Sequence, residues 1–336
     1  MRVLVTGGTG YFGEHVVRAL RTAGHEVRAL VRDPVRARTV LGDGVDLLPG
    51  DLGRLEPWVA ALGETEALVH LGSTVLSWSR DRSVFDAINV DAGLDLTARA
   101  REAEVARIVV AGSLFALGPS PAGETATESR VGGERPPLAM ANDYVRSKRL
   151  LCEGLWSRQA DGDPVILVHP TILLGPGQRT QGNHTATVMY DLARGRLPGF
   201  IGNGEQIWNL VPVAAAARGL VEVLEQGRPG GNYILGGENW SQRRFVERAA
   251  HHLGVPAPAR TIPRGVLLAL AGVAEGIAAI TRRAPALTTG AVRLYDANWS
   301  FSSAKAAQEL GYAPGDLEAT VAGTAAWIRG LRAGGD

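Results

Sequence analysis

Tyr144 and Lys148, four residues apart in Tyr144-Val-Arg-Ser-Lys148, are the pair best suited to chemistry in this chain. On a helix that spacing brings both side chains onto one face. An ammonium beside a phenol favours the phenolate, so Lys148 is expected to draw the Tyr144 pKa down from about 10. A phenol so tuned can give a proton to a carbonyl oxygen or take one from an alcohol. Ser113 follows the apolar run Arg107-Ile-Val-Val-Ala111, where its hydroxyl could hold that same oxygen. Each residue alone has a plainer reading, as partly exposed helix residues or a strand-end serine satisfying local backbone. Together with a glycine loop at the N-terminus they are far more specific than any one of them.

That loop is Thr6-Gly-Gly-Thr-Gly-Tyr-Phe-Gly13, between a first apolar strand and a first helix. Gly7 permits a tight turn, Gly10 lets backbone approach a pyrophosphate, and Gly13 allows close helix–strand packing. Thr9, Tyr11 and Phe12 complete the loop and open a helix whose N-terminus faces the anion. Cofactor choice should be read after the second strand, where an acidic residue would grip the ribose of NAD and an arginine the 2′-phosphate of NADP. Here Val31 is followed by Arg32 and then Asp33-Pro34, so NADP(H) is favoured over NAD(H). The alternative leaves Arg32 solvated and Asp33 on the ribose. Asp51 and Leu52, past the third strand, are expected to meet the adenine.

The elements that must position these groups follow from the same residues. Short apolar runs at 3–5, 27–31, 45–48, 67–71, 107–111 and 165–169 read as strands, and 12–23 and 144–156 as helices. Strands buried on both faces need such continuous runs, and their alternation with helices predicts a parallel sheet. The expected fold is α/β: a Rossmann-type doubly wound parallel sheet with a smaller C-terminal substrate-binding region. Residues 1–170 would form the NADP-binding Rossmann domain, rejoined by about 206–235. Residues 171–205 and 236–336 would form the substrate-binding region. Hydrophobic residues make up 45% and charged residues 21%, an ordinary globular balance. With 35 basic and 34 acidic residues spread along the chain, no footprint for nucleic acid is expected. One cysteine, Cys152, excludes an internal disulfide framework, and no cluster has metal-ligand spacing. No secretory signal is apparent, so a cytoplasmic location is expected. The most apolar stretch, 265–274, is interrupted by Glu275 and falls short of a bilayer span, so it is expected to be a core helix, with no membrane partner.

Across nearly its whole length the chain resembles the extended (atypical) short-chain dehydrogenases/reductases. The resemblance rests on Thr6 to Gly13, Gly50-Asp-Leu52, Leu68-Val-His-Leu-Gly72, Asn89-Val90, Ser113 to Gly118, Tyr144 to Lys148, His169-Pro-Thr-Ile-Leu-Leu-Gly-Pro-Gly177, Phe301-Ser-Ser-Ala-Lys305 and Leu310-Gly-Tyr-Ala-Pro314. It implies hydride exchange between a nicotinamide and a substrate carbon, with Tyr144 as acid/base and Ser113 positioning the oxygen. It further implies Lys148 on the nicotinamide ribose and Asn89 supporting the site. Leu71, Gly72, Ser73, His169, Pro170 and Thr171 would border the cofactor. His169 stands where many members have arginine, and a core or rim role suits it better. Val31-Arg-Asp-Pro34 is similar to the dihydroflavonol-reductase-like group, and the general layout also resembles hopanoid-associated epimerases.

Sugar-nucleotide epimerases typically carry an acid after the second strand and an arginine on the substrate diphosphate. Here Arg32 and Trp208 stand at those places. The wall Ser73-Thr-Val-Leu-Ser-Trp78, in particular Thr74 and Val75, with Phe115 and Trp208, is apolar with hydroxyls, which suits a modest-sized ketone, aldehyde or secondary alcohol. The expected activity is an NADPH-dependent carbonyl reductase, or secondary alcohol dehydrogenase in reverse. The alternatives are an epimerase or dehydratase with bound nucleotide, a 3β-hydroxysteroid-type dehydrogenase, and a non-catalytic redox sensor. A homodimer is implied by the resemblance alone.

Overall fold

Strands form where β-branched and leucine residues run without polar interruption, and every inner strand of the main sheet is buried on both faces. The computed structural model describes residues 1–333 apart from Ser77, Arg135, Pro137, Ala139 and Met140. In chain order come β1 (Arg2–Thr6), α1 (Tyr11–Thr22), β2 (Glu26–Val31), α2 (Pro34–Leu41), β3 (Asp46–Pro49) and β4 (Ala67–His70). A π-helical turn, Asp86–Asp91, joins α3 (Ser83–Phe85) to α4 (Ala92–Glu102). Next are β5 (Arg107–Ala111), α5 (Leu114–Leu117), α6 (Asp143–Ala160), β6 (Ile166–Pro170), β7 (Ile172–Leu174), α7 (His184–Ala193), β8 (Phe200–Ile201) and β9 (Ile207–Pro212). The chain continues through α8 (Val213–Gln226), β10 (Asn232–Leu235), β11 (Glu238–Ser241), α9 (Gln242–Leu253) and β12 (Thr261–Ile262). It closes with α10 (Arg264–Thr281), α11 (Thr289–Tyr295), α12 (Ala304–Leu310) and α13 (Leu317–Ala333).

Seven parallel strands form the main sheet in the order β3-β2-β1-β4-β5-β6-β10. Alternation along each strand divides the core in two. Val3, Val5, Val69 and Val109 pack with Val16 and Leu20 of α1 and Leu220 of α8, while Leu4, Leu68, Ile108 and Val110 pack with Leu96 of α4 and Leu151 and Leu155 of α6. The sheet is therefore doubly wound. Its strand order reverses between β1 and β4, and that switch point is where such sheets open a ligand crevice at the carboxyl ends of their strands.

Beyond β6 the chain builds a three-stranded sheet, β11-β9-β7, and a two-stranded one, β12-β8. The stretch 206–235 divides between the layers. Helix α8 and strand β10 join the main sheet, whereas β9 pairs with β7 and β11. The helix expected as core from residue 265 is not core: in α10 only Ala271 and Ala278 are buried, and α10 is also long and apolar enough to cross a membrane by length and composition.

Candidate active site

The glycine loop folds as its spacing requires. Gly7 has φ +73°, and a side chain there would stand 2.6 Å from the Gly72 nitrogen, so the loops after β1 and β4 touch backbone to backbone. A Cβ on Gly13 would lie 2.1 Å from the Gly7 carbonyl oxygen, the close helix–strand approach foreseen for it. Gly10 is the N-cap of α1 and brings no side chain to accept from the first turn. That leaves first-turn N–H groups, with the positive end of the helix dipole, for an anion. Tyr11 is buried and donates to the Gly175 carbonyl at 3.1 Å, while Phe12 is half-buried against the α1 face of the core. Orphaned hydroxyls border the same crevice: Ser73 Oγ, after β4, and Thr171 Oγ1, after β6, are buried without a partner among the described residues. An uncapped helix, a glycine cradle and unpaired buried hydroxyls together fit a dinucleotide.

At the end of β2, Arg32 is exposed and bonds no described residue, whereas the Asp33 carboxylate accepts from Arg36 N at 3.0 Å and caps α2. One Asp33 oxygen is thus engaged in the helix cap, and the Arg32 side chain bonds no described residue. Asp51 accepts from Gly53 N at 2.7 Å in its own turn, and Leu52 lies against Gly72, where a Cβ would come within 2.3 Å of its methyl. Leu71 donates its N–H to the Thr6 carbonyl at 3.1 Å.

The catalytic candidates come together through three elements. Asn142 caps α6 by accepting from Val145 N at 2.9 Å, which fixes the helix carrying Tyr144 and Lys148. Ser113 caps the short α5, accepting from Phe115 N at 3.2 Å. Burial pushes the Tyr144 pKa up to about 12, opposed by the neighbouring Ser113 hydroxyl. Lys148 is buried, its ammonium donates to the Ala111 carbonyl at 2.7 Å, and burial lowers its pKa to about 8. The expectation that Lys148 brings Tyr144 toward a phenolate is therefore corrected: desolvation dominates both groups, and Tyr144 rests as a protonated phenol.

Asn89 lies in the π-helical turn, a device often found at functional sites. Its Oδ1 accepts from Thr74 N at 2.6 Å, and its Nδ2 donates to the Thr74 carbonyl at 3.1 Å and to Ser147 Oγ at 2.8 Å. Asn89 thus ties the loop after β4 to the catalytic helix. Thr74 and Val75 are half-exposed beside it, and Ser77 of the same expected wall lies outside the described residues. The Phe115 ring stands edge-on to Tyr144, with centroids 6.3 Å apart, and edge-on to Trp299 at 5.0 Å.

Two further residues named for the site, one as cofactor border or core and one as pocket wall, have buried rings. The His169 side chain is fully buried, its Nε2 is 3.1 Å from Asn232 Oδ1, and burial lowers its pKa to about 4. This is the core role that suits it better, one residue before the end of β6; Pro170 ends the strand and the Thr171 hydroxyl follows it. Trp208 is also buried, its ring tilted or edge-on to those of Phe245, Tyr295 and His184 with centroids 6.2, 5.4 and 6.5 Å apart, so it is packed into an aromatic cluster.

Several positioning residues had no legible signal. Arg149, buried beside Lys148, donates to the Ala116 and Gly133 carbonyls at 2.7 and 2.5 Å, clamping α5 against α6. Gln178 Nε2 donates to the Thr9 carbonyl at 2.8 Å and so latches the second region onto the glycine loop. Thr6 Oγ1 shares a 2.7 Å hydrogen bond with His70 Nδ1, whose pKa burial lowers to about 3. Only contacts more than a hundred residues apart could have found Gln178.

A family model described as the NAD dependent epimerase/dehydratase family matches residues 3–236. The chain belongs to that family. It is accordingly a dinucleotide-dependent enzyme of the extended short-chain dehydrogenase/reductase kind, acting at a CH–OH or carbonyl carbon. A putative dihydroflavonol 4-reductase of Synechocystis is 28% identical over 329 residues, covering 97% of this chain and 94% of that protein. Sterol demethylase protein B of Methylococcus capsulatus is 27% identical over 331 residues, covering 98% of each. The crystal structure of gox2253 superposes with a TM-score of 0.81 at 30% identity, covering 98% of each chain.

Proposed function

We propose that this chain is an NADPH-dependent carbonyl reductase, run in reverse as a secondary alcohol dehydrogenase, for a largely apolar ketone or aldehyde. The observation that carries the reading is the placement of Tyr144: its phenol stands beside the Ser113 hydroxyl, edge-on to the Phe115 ring, one helical turn from the buried Lys148. Reduction of a carbonyl needs a proton donor at the oxygen, and a neutral phenol is one. When bound, NADPH supplies the hydride. Tyr144 Oη donates its proton to the carbonyl oxygen as that oxygen gains charge, and the Ser113 hydroxyl holds the same oxygen in place. Asn89 keeps the Thr74 loop and Ser147 at fixed separation, so Tyr144, three residues before Ser147, does not drift.

The preference for NADPH is supported by Arg32 standing free while Asp33 caps α2. The apolar substrate is supported by Phe115 and Trp299 and by the sterol and flavonoid named for the two relatives. An epimerase reading lacks a cation at Trp208, whose ring is packed into an aromatic cluster. The test is cofactor absorbance across a panel of aromatic, aliphatic and steroid ketones, with Tyr144→Phe alongside. Stoichiometric loss of NADPH that Tyr144→Phe abolishes is the expected result. Interconversion of sugar nucleotides without net cofactor consumption would overturn the reading.

A further inference from the structure

Helix α10 turns its apolar face outward. Val266, Leu270, Val273, Ile277 and Ile280 are 50, 57, 63, 55 and 85% exposed. Their spacing, alternately four and three residues, lines them along one side of the helix. A surface helix of a globular protein ordinarily does the reverse, burying such a stripe. Together the five expose on the order of 500 Å², near the top of what a soluble monomer carries in one patch. The other exposed large hydrophobics among the described residues are Met1 and Val35.

Charge is arranged around the stripe. Between Val255 and Leu287 lie four arginines, Arg260, Arg264, Arg282 and Arg283, and one acid, Glu275, in a chain whose overall net charge is +1. Glu275 is occupied in accepting from Thr289 N at 2.8 Å, and Arg264 pairs with Asp296 at 2.9 Å. The side chains of Arg260, Arg282 and Arg283 are exposed and bond no described residue. Two copies of α10 packed in either direction would bring arginine-bearing ends together. A single-helix contact would also fall short of the roughly 800 Å² per partner of a standard interface. An anionic bilayer meets both features at once: acyl chains for the stripe and lipid phosphates for the guanidiniums.

The helix cannot cross that bilayer, because both ends return to one folded body. Strand β12, paired with β8, precedes it, and Glu275 holds it to α11. Helix α11 in turn rests on the turn before the catalytic helix, where a Cβ on Gly290 would lie 2.0 Å from the Ala141 carbonyl oxygen. Helix α10 is therefore joined, through α11, to the turn that precedes the catalytic helix.

We propose that α10 docks this protein flat on an anionic lipid bilayer, with Val266, Leu270, Val273, Ile277 and Ile280 among the acyl chains and the flanking arginines on the headgroups. Docking does not depend on the reductase reading, and its test needs no turnover. The full chain is floated with phosphatidylglycerol/phosphatidylcholine vesicles and with phosphatidylcholine vesicles alone, at low and high salt. It is expected to float with the anionic vesicles and to be released by salt. Val273→Glu/Ile277→Glu and, separately, Arg282→Glu/Arg283→Glu should each weaken partitioning by more than about tenfold. Both pairs are exposed, so the melting temperature and dinucleotide binding should stay those of the parent. Failure of the parent to float with anionic vesicles would overturn the proposal, as would equal flotation of parent and both variants. A dimer in sedimentation that Val273→Glu/Ile277→Glu breaks, without vesicle binding, would assign the stripe to a second copy.

Discussion

Replacing Arg32 by alanine isolates one interaction at little structural cost. Arg32 is exposed and bonds no described residue, and the cap of α2 is made by Asp33. The variant should therefore fold with the stability of the parent, since exposed, unpartnered positions usually matter by less than about 0.5 kcal/mol. What it loses is a guanidinium available to a 2′-phosphate. Charge-assisted hydrogen bonds contribute roughly 1.5–3 kcal/mol. Solvent screening at an exposed site takes the low end of that range. About 1.5 kcal/mol corresponds to a little over tenfold in Kd. Titration of intrinsic tryptophan fluorescence with NADPH and with NADH gives both constants, alongside a urea melt. NADPH should weaken by about tenfold while NADH changes by less than about twofold. Equal weakening of both cofactors, or tighter binding of NADH than NADPH by the parent protein, would refute the reasoning.

Other perturbations test the remaining parts of the site. Asn89→Ala removes three hydrogen bonds and strands the Thr74 N–H, so urea denaturation should show a loss of about 3 kcal/mol, with kcat falling more than KM changes. Gly13→Ala would force a methyl to 2.1 Å from the Gly7 carbonyl, so calorimetry should find dinucleotide binding abolished in a chain whose sheet still forms. For pH, the depressed Lys148 pKa of about 8 means an ammonium below that value and a neutral amine above it. Reduction should therefore decline as pH rises through about 8, a limb that Lys148→Met should remove. Tyr144, raised to about 12, should remain a proton donor throughout that window, so an alkaline limb near pH 7 that Lys148→Met leaves in place, attributable to Tyr144 deprotonation, would contradict that assignment.

Local pattern made much of the site legible. The spacing of Gly7, Gly10 and Gly13 is a backbone constraint, and it holds wherever a strand turns tightly into a helix. Tyr144 and Lys148 share a face because helical periodicity puts them there. The charge states of those groups were not legible, because a pKa depends on how much water the fold excludes. Spacing suggested that Lys148 would act on Tyr144, but burial acts on both more strongly. His169 and Trp208 show the same limit. Their residue types suit a cleft, and only packing decides that one ring is buried against Asn232 and the other within an aromatic cluster.

The sequence by itself determined the first six strands of the main sheet, the order of their βα units and the glycine loop, since each depends on residues close in the chain; the short strands beyond β6 carried no such pattern. Tertiary structure alone decided which groups are dry, which are spent and which are free. One oxygen of Asp33 caps α2, Arg32 is left open, and Arg149 and Gln178 join segments that lie far apart in sequence or in different layers. It also decided that α10, as apolar as any core helix, faces outward. Hydrophobicity along a chain records how much a segment gains by leaving water. Where that segment goes depends on whether the rest of the fold has a surface left to cover it.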